Sequence, residues 1–266
     1  MLGAIIGDIA GSRYERFNIK AKDFPFFSLW DRMTDDSILT LAIARALLVC
    51  REDRSDLGRQ AVTQMQRLGQ MFPDCGFGGH FHSWIFEKDP EPYGSWGNGA
   101  AMRISPCGWA GNSLEEVKKL SEAVTQVSHN HPEGIKGAEA AACAVFLART
   151  GSSREEIRTY IQEDYYDLSF TLDEIRDSYR FDVSCQGSVP QAIEAFLEST
   201  DFEDTIRNAM SIGGDSDTIA AIAGGIGEAF YGIPAQLRRE ALTYFESQEL
   251  LDILTDFEQK YPAKIL

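Results

Sequence analysis

The sequence predicts an all-α fold, a single domain over residues 1–266, on three observations. Apolar residues recur at i, i+3, i+4 and i+7 in segment after segment, the period of a helix face. No series of alternating apolar and polar residues marks a set of strands. No low-complexity linker divides the chain, and its length is enough to bury a large core.

The elements follow in order. Residues 1–15 read as a buried helix in which Gly3, Ala4, Gly7, Ala10 and Gly11 permit close packing, with Glu15 at its end. Residues 16–33 are irregular. A second helix starts at Thr34-Asp35-Asp36-Ser37, with Leu39, Ala42, Ile43, Ala46, Leu47 and Cys50 on its inner face and Arg45 off it. A third runs from about Asp56 to Met71. Residues 72–99 read as a long loop, carrying Gly76, Gly78, Gly79, Gly94, Gly97 and Gly99 among aromatic side chains; a loop of that length in a compact protein is usually functional.

Helices resume at Ser113 (Leu114, Val117, Leu120, Val124) and at Pro132, a residue suited to the first helical turn. Residues 152–180 suggest shorter helices. Another starts at Pro190, one spans Asp201–Met210, and a tail helix carries Leu250, Ile253, Leu254 and Phe257. Between the last two lies SIGGDSDTIAAIAGGIGEAFYG, residues 211–232. Gly213-Gly214 free the backbone for a turn, four oxygen-bearing side chains follow, and Ile219, Ile222, Ala223, Ile226 and Phe230 mark a helix face.

Composition narrows the function classes. Forty-one acidic against 25 basic residues give a net charge of −16, which disfavours binding to nucleic-acid backbone or an anionic membrane. The five cysteines are odd in number, widely spaced and without a CxxC pair, which predicts free thiols in a reducing, cytoplasmic setting. The opening MLGAIIGDIAGS lacks a basic region and is interrupted by Asp8, so it reads as neither a signal peptide nor a membrane anchor.

Two acidic hydroxyl clusters carry the chemistry: Thr34/Asp35/Asp36 and Asp215/Asp217/Thr218. Asp and Thr at helix starts serve as caps. They also suit hard cations such as Mg²⁺ or Mn²⁺, and four carboxylates have the capacity for two ions roughly 3.5–4 Å apart. Glu15 is either a surface group paired with Arg13 or Arg16, or a ligand or a base for water beside such a site. Asp8, in a helix of small residues, reads as a buried group that orients its neighbours. The glycine loop can bring backbone N–H groups to a phosphate, and Trp96 within it can stack on a base. His80, His82 and His131 read as structural; His129, near a helix junction, is a candidate donor to a ligand.

GDIAGSRYE (7–15), TDDS (34–37), GSWGNGAAMR (94–103), Ser128-His129 and GGDSDTIAAIAGGIGEAFYG (213–232) occur in this order, and together they resemble the ADP-ribosylglycohydrolase family over nearly the whole chain. The resemblance implies an orthogonal multi-helix bundle with two Mg²⁺ ions in a cleft, Mn²⁺ being an alternative. It implies Thr34, Asp35, Asp36, Asp215, Asp217 and Thr218 as metal ligands, and Glu15 and Asp36 as catalytic residues. Gly78 and Gly79 would approach the diphosphate. Gly94, Ser95, Trp96, Asn98, Gly99 and His129 would line the ADP-ribose pocket. The reaction implied is metal-dependent hydrolysis of the glycosidic bond between ADP-ribose and a protein side chain or small acceptor. Ser37 and Ala100 depart mildly from the family pattern, and the residues facing the acceptor have no match. An ADP-ribose-binding or crystallin-like structural protein and a metal-dependent phosphohydrolase of ADP-ribose are the rivals. Retention of all six ligands and Glu15 speaks against the first.

Overall fold

The computed structural model describes residues 1–262; residues 263–266 of the predicted domain span lie outside it. The helices are α1 (Leu2–Gly11), α2 (Asp35–Val49), α3 (Leu57–Met71), α4 (Gly79–Trp84), α5 (Gly99–Met102), α6 (Ser105–Ala110), α7 (Leu114–Thr125) and α8 (Pro132–Thr150). They continue as α9 (Arg154–Asp164), α10 (Leu172–Arg176), α11 (Cys185–Leu197), α12 (Phe202–Ser211), α13 (Ser216–Tyr231), α14 (Ala235–Ala241) and α15 (Gln248–Lys260). Among the described residues the only β pairing is an isolated antiparallel bridge between Gly97 and Ser184. The all-α expectation holds.

Several helix starts fall where side-chain chemistry places them. Thr34, Ser113 and Asp201 each accept a hydrogen bond from a first-turn backbone N–H of α2, α7 and α12, and Pro132 opens α8. Other expectations are corrected. α1 ends at Gly11, not at residue 15, because the chain leaves the core there: residues 12–15 are half-buried and Tyr14 N–H closes a turn onto Gly11 O at 2.8 Å. The stretch 72–99 is not all loop, since Phe81 and Trp84 bury one side of the short α4. α11 begins at Cys185, capped by Ser184, and passes through Pro190 instead of starting at it; the proline removes one backbone donor and the buried flanks keep the helix. The short α5, α6 and α14 have too few residues to show a period.

α13 forms the axis of the bundle. It packs against α1, α12, α11 and α8, and every residue from Ser216 to Ala229 is buried. The stripe seen in the sequence is therefore only one of its buried faces. Its closest partner is α1, which runs antiparallel to it along a seam of small residues. A Cβ on Gly3 would stand 2.3 Å from Gly224 O, on Gly7 2.0 Å from Ala220 O, and on Gly11 2.4 Å from Asp217 Cα. The seam fixes the start of α13, with its carboxylates, against the end of α1. Gly7→Val is therefore expected to destabilise the protein by about 1–3 kcal/mol or more, because backbone cannot yield as a side chain does. Denaturant unfolding checks this; a midpoint equal to wild type would contradict the seam.

Candidate active site

Asp8, fully buried in α1, is the hub of the site. It accepts from Thr34 N (2.9 Å), Thr34 Oγ1 (2.6 Å), Ser37 N (3.1 Å) and Ser37 Oγ. These bonds seat the first turn of α2 on α1. Burial pushes the Asp8 carboxyl up to about 6 despite four donors that pull it down. Ser37, in place of a threonine, thus works toward Asp8.

α2 and α13 bring their first turns together on this platform. One oxygen from each of Asp8, Asp36 and Asp217 lies within 4.8 Å of the other two. Thr218 Oγ1 donates to Asp36 Oδ2 at 3.4 Å, and Thr218 N–H to Asp217 Oδ1 at 3.0 Å. Asp36 and Asp217 are held well above the ordinary carboxylate range, by burial first and then by neighbouring carboxylates. Asp35 is pushed up to about 7 by burial and by Asp8.

Asp215 occupies the N-cap position of α13 but makes no capping bond; the expectation that it caps the helix is corrected. Its Oδ2 instead accepts from Asn98 Nδ2 at 2.7 Å. The preceding Gly213 and Gly214 have φ of +65° and +79°, which turn the carboxylate out of the helix line. Asn18 clamps that turn, accepting from Gly214 N (2.6 Å) and donating to Gly214 O (2.9 Å). The same residue donates to Glu15 O, so one amide ties the Glu15 turn to the Asp215 turn. Glu15 is half-buried, and burial and then Asp215 raise its pKa, against Arg16 and Arg32.

The residues fit a hard divalent cation. All the clustered donors are oxygens, and Asp36 Oδ1 is buried without a hydrogen-bond partner among the described residues. Like charges crowded in a buried space favour either protons or a cation between them.

These groups form one wall of a cavity of about 480 Å³, within the range of small-ligand sites. Glu15, Thr34, Asp35, Asp36, Asp215, Asp217, Thr218, Gly78, Gly79, Ser95, Asn98, Gly99 and His129 all line it. Gly94 and Trp96 do not. Gly94 N–H donates to Asn130 Oδ1 at 2.7 Å, and Trp96 is turned edge-on to His131 with ring centroids 5.7 Å apart. Phe81, Tyr93 and Phe181 are aromatic rings that do line it, Phe181 together with Val183 from a segment distant in sequence. Phe181 and Val183 arrive because residues 96–98 pair with 183–185: Asn98 N donates to Val183 O (2.7 Å) and Cys185 N to Trp96 O (3.0 Å). Isolated apolar residues in a polar stretch were the only sequence signal for Phe181 and Val183.

Arg103 was likewise not singled out. Its side chain is fully buried, lines the cavity, sits 5.4 Å over the Phe81 ring and has no ion-pair partner among the described residues. Its Nη2 donates to Ser128 Oγ at 2.8 Å and lies 3.4 Å from His129 Nδ1. Ser128 Oγ, already accepting, has its own proton for His129 Nδ1 at 2.9 Å. Arginine only donates, so this arrangement calls for an unprotonated Nδ1 and a proton on Nε2. Burial and Arg103 hold the His129 pKa well below the ordinary value. Nε2 faces the loop wall: a Cβ on Gly99 would lie 3.3 Å from it. Arg103→Met is expected to raise the share of His129 protonated on Nδ1, read from imidazole ¹⁵N shifts; unchanged shifts would contradict the arrangement.

Fold and cavity together define an all-α protein built around a buried carboxylate centre. The chain belongs to the ADP-ribosylglycohydrolase family, whose model matches residues 1–263, and it is an enzyme of that class. It is 26% identical to human ADP-ribosylhydrolase ARH3, over 98% of this chain and 93% of that protein. It is 24% identical to an ADP-ribosylarginine hydrolase, Tri1, of Serratia proteamaculans, over 87% and 70%. A solved structure titled ADP-ribosylglycohydrolase-related protein complex superposes with a TM-score of 0.72 at 21% identity, covering 97% of this chain and 95% of that one, a likeness of fold. Among the described residues no helix is long and apolar enough to cross a membrane.

Proposed function

We propose that this protein hydrolyses the glycosidic bond between ADP-ribose and an acceptor, with two Mg²⁺ ions, or Mn²⁺, held by Thr34, Asp35, Asp36, Asp215, Asp217 and Thr218. The observation that carries the reading is the meeting of both acidic clusters with Glu15 in one cavity that also holds the glycine loop and His129. When bound, such ions polarise oxygen ligands and position water and sugar hydroxyls.

The chain's own residues do the rest. Asp8 sets the orientation of Thr34, and Asn98 that of Asp215. Gly78 and Gly79 present backbone to the diphosphate, since nothing lies within 4 Å of where their side chains would stand. His129 donates Nε2–H to a ligand oxygen. Phe181, in place of Trp96, offers its face to the adenine. Glu15, whose half-buried carboxylate has a raised pKa, accepts a proton from the water that attacks the anomeric carbon as the bond to the acceptor breaks, and that proton passes on to the departing acceptor nitrogen or oxygen. Asp36, whose buried carboxylate converges with those of Asp8 and Asp217, holds that centre in place. The substrate class is protein or small-molecule ADP-ribose conjugates; the Serratia relative's name makes arginine one linkage to assay. We read the chain as one domain, and its free cysteines suit a cytoplasmic setting.

The test is hydrolysis of ADP-ribosylated peptides, linked through arginine or serine, with Mg²⁺ and with EDTA. Metal-dependent release of intact ADP-ribose is expected. AMP as product would point to phosphohydrolysis, and equal turnover in EDTA would remove the metal from the reaction.

A further inference from the structure

We propose that residues 16–33 form the docking surface for the acceptor, and that the acceptor is a peptide with carboxylates and an apolar residue beside the ADP-ribosylated side chain. This rests on reading the cavity as the ADP-ribose site.

Arg16 and Arg32 both line the cavity and both act on Glu15, the residue placed at the bond to be cut. Arg13 makes the ion pair with Asp31 (3.4 Å), and neither Arg16 nor Arg32 has a side-chain partner among the described residues. Two cations without an ion-pair partner among the described residues therefore stand beside Glu15, at the reacting end of a cavity whose floor is acidic.

Among the described residues the large apolar side chains most exposed to solvent lie in the same segment: Phe17 at 79%, Leu29 at 100% and Trp30 at 84%. Phe17 follows Arg16, and Trp30 lies two residues before Arg32. The backbone that displays them is fastened at many points. Lys20 Nζ donates to Tyr179 O (2.9 Å), Arg207 Nη1 to Lys22 O (2.8 Å) and Phe24 O (2.9 Å), and Tyr244 OH to Ser28 O (2.9 Å). Apolar groups held in water on a fixed backbone beside a cavity mark a surface for a partner.

Charge selects the kind of partner. A net charge of −16 repels an extended polyanion such as nucleic acid. One or two carboxylates on a peptide meet Arg16 and Arg32 at contact distance, while the remaining charge is screened beyond about 10 Å.

The experiment compares three substrates of the linkage that is hydrolysed: the ADP-ribosyl amino acid amide, a peptide with glutamate beside the modified residue, and the same peptide with lysine there. The glutamate peptide is expected to have a KM about three- to fivefold below the lysine peptide at similar kcat. Arg32→Glu should reverse the order of the two peptides. Phe17→Ser with Trp30→Ser should raise KM for both peptides and leave the amide conjugate unchanged. Equal KM values for the two peptides would overturn the proposal. So would an ADP-ribosylated oligonucleotide preferred to the glutamate peptide, or a Phe17/Trp30 variant that only dissociates a dimer in sedimentation. If no conjugate is hydrolysed, the hydrolase reading fails by itself, and calorimetric binding of the glutamate against the lysine peptide decides the docking surface.

Discussion

Asp217→Asn is expected to lower hydrolysis of ADP-ribosylated peptide by about 10²–10³-fold or more while the protein stays folded. Asparagine has the same shape, and its Oδ1 keeps the bond from Thr218 N–H seen at 3.0 Å. What it loses is charge at the point where oxygens of Asp8, Asp36 and Asp217 converge within 4.8 Å. Asp8→Asn should fall less, by about 10–100-fold, because Asp8 acts through the Thr34 and Ser37 bonds that orient the first turn of α2. Steady-state kinetics with circular dichroism as the fold control distinguishes the two. An Asp217→Asn enzyme within about tenfold of wild type would remove that carboxylate from the reacting centre.

The second large effect is on stability. Without a cation, Asp8 and Asp35 have pKa values of about 6 and about 7, above the ordinary 3.8, and Asp36 and Asp217 are also raised. A carboxyl whose folded pKa is raised binds its proton more tightly folded than unfolded. Its contribution is complete below about pH 4 and is lost as pH rises through 6 and 7. Cation-free protein should therefore melt lower at about pH 8 than at about pH 6. Mg²⁺ should compete with those protons and stabilise more at the higher pH. At a hundredfold excess over Kd the rise in Tm is about 5–10 °C. Differential scanning fluorimetry across pH, with and without Mg²⁺, checks this; a shift larger at the acid end would reverse the sign and contradict the cluster.

How much was legible in the chain follows from how local each signal is. The starts of α2, α7, α8 and α12 were readable because a cap is a bond between neighbours in sequence. The surroundings of Asp215 and Trp96 were not. Asp215 reads as a metal ligand or a cap, but nothing local shows that Asn98, distant in sequence, donates to its carboxylate. Trp96 sits in a glycine loop suited to a ligand, yet its ring packs against His131, and the rings that line the cavity are Phe81, Tyr93 and Phe181. Within its motif Arg103 is one more charged residue; that it is buried without an ion-pair partner among the described residues is a tertiary fact.

By itself, the sequence determined the helical class, the two acidic clusters, Glu15 and the order of motifs that carries the family. These are fixed by residue type and short spacing, which survive without coordinates. The tertiary structure decided which groups meet. The glycine seam of α1 and α13 lets two backbones approach closely enough for Asp8 to hold α2 and for Asp36 and Asp217 to share one buried space. Gly3, Gly7 and Gly11 show locally that α1 can pack closely, but not against which helix, because its partner α13 lies more than 200 residues away.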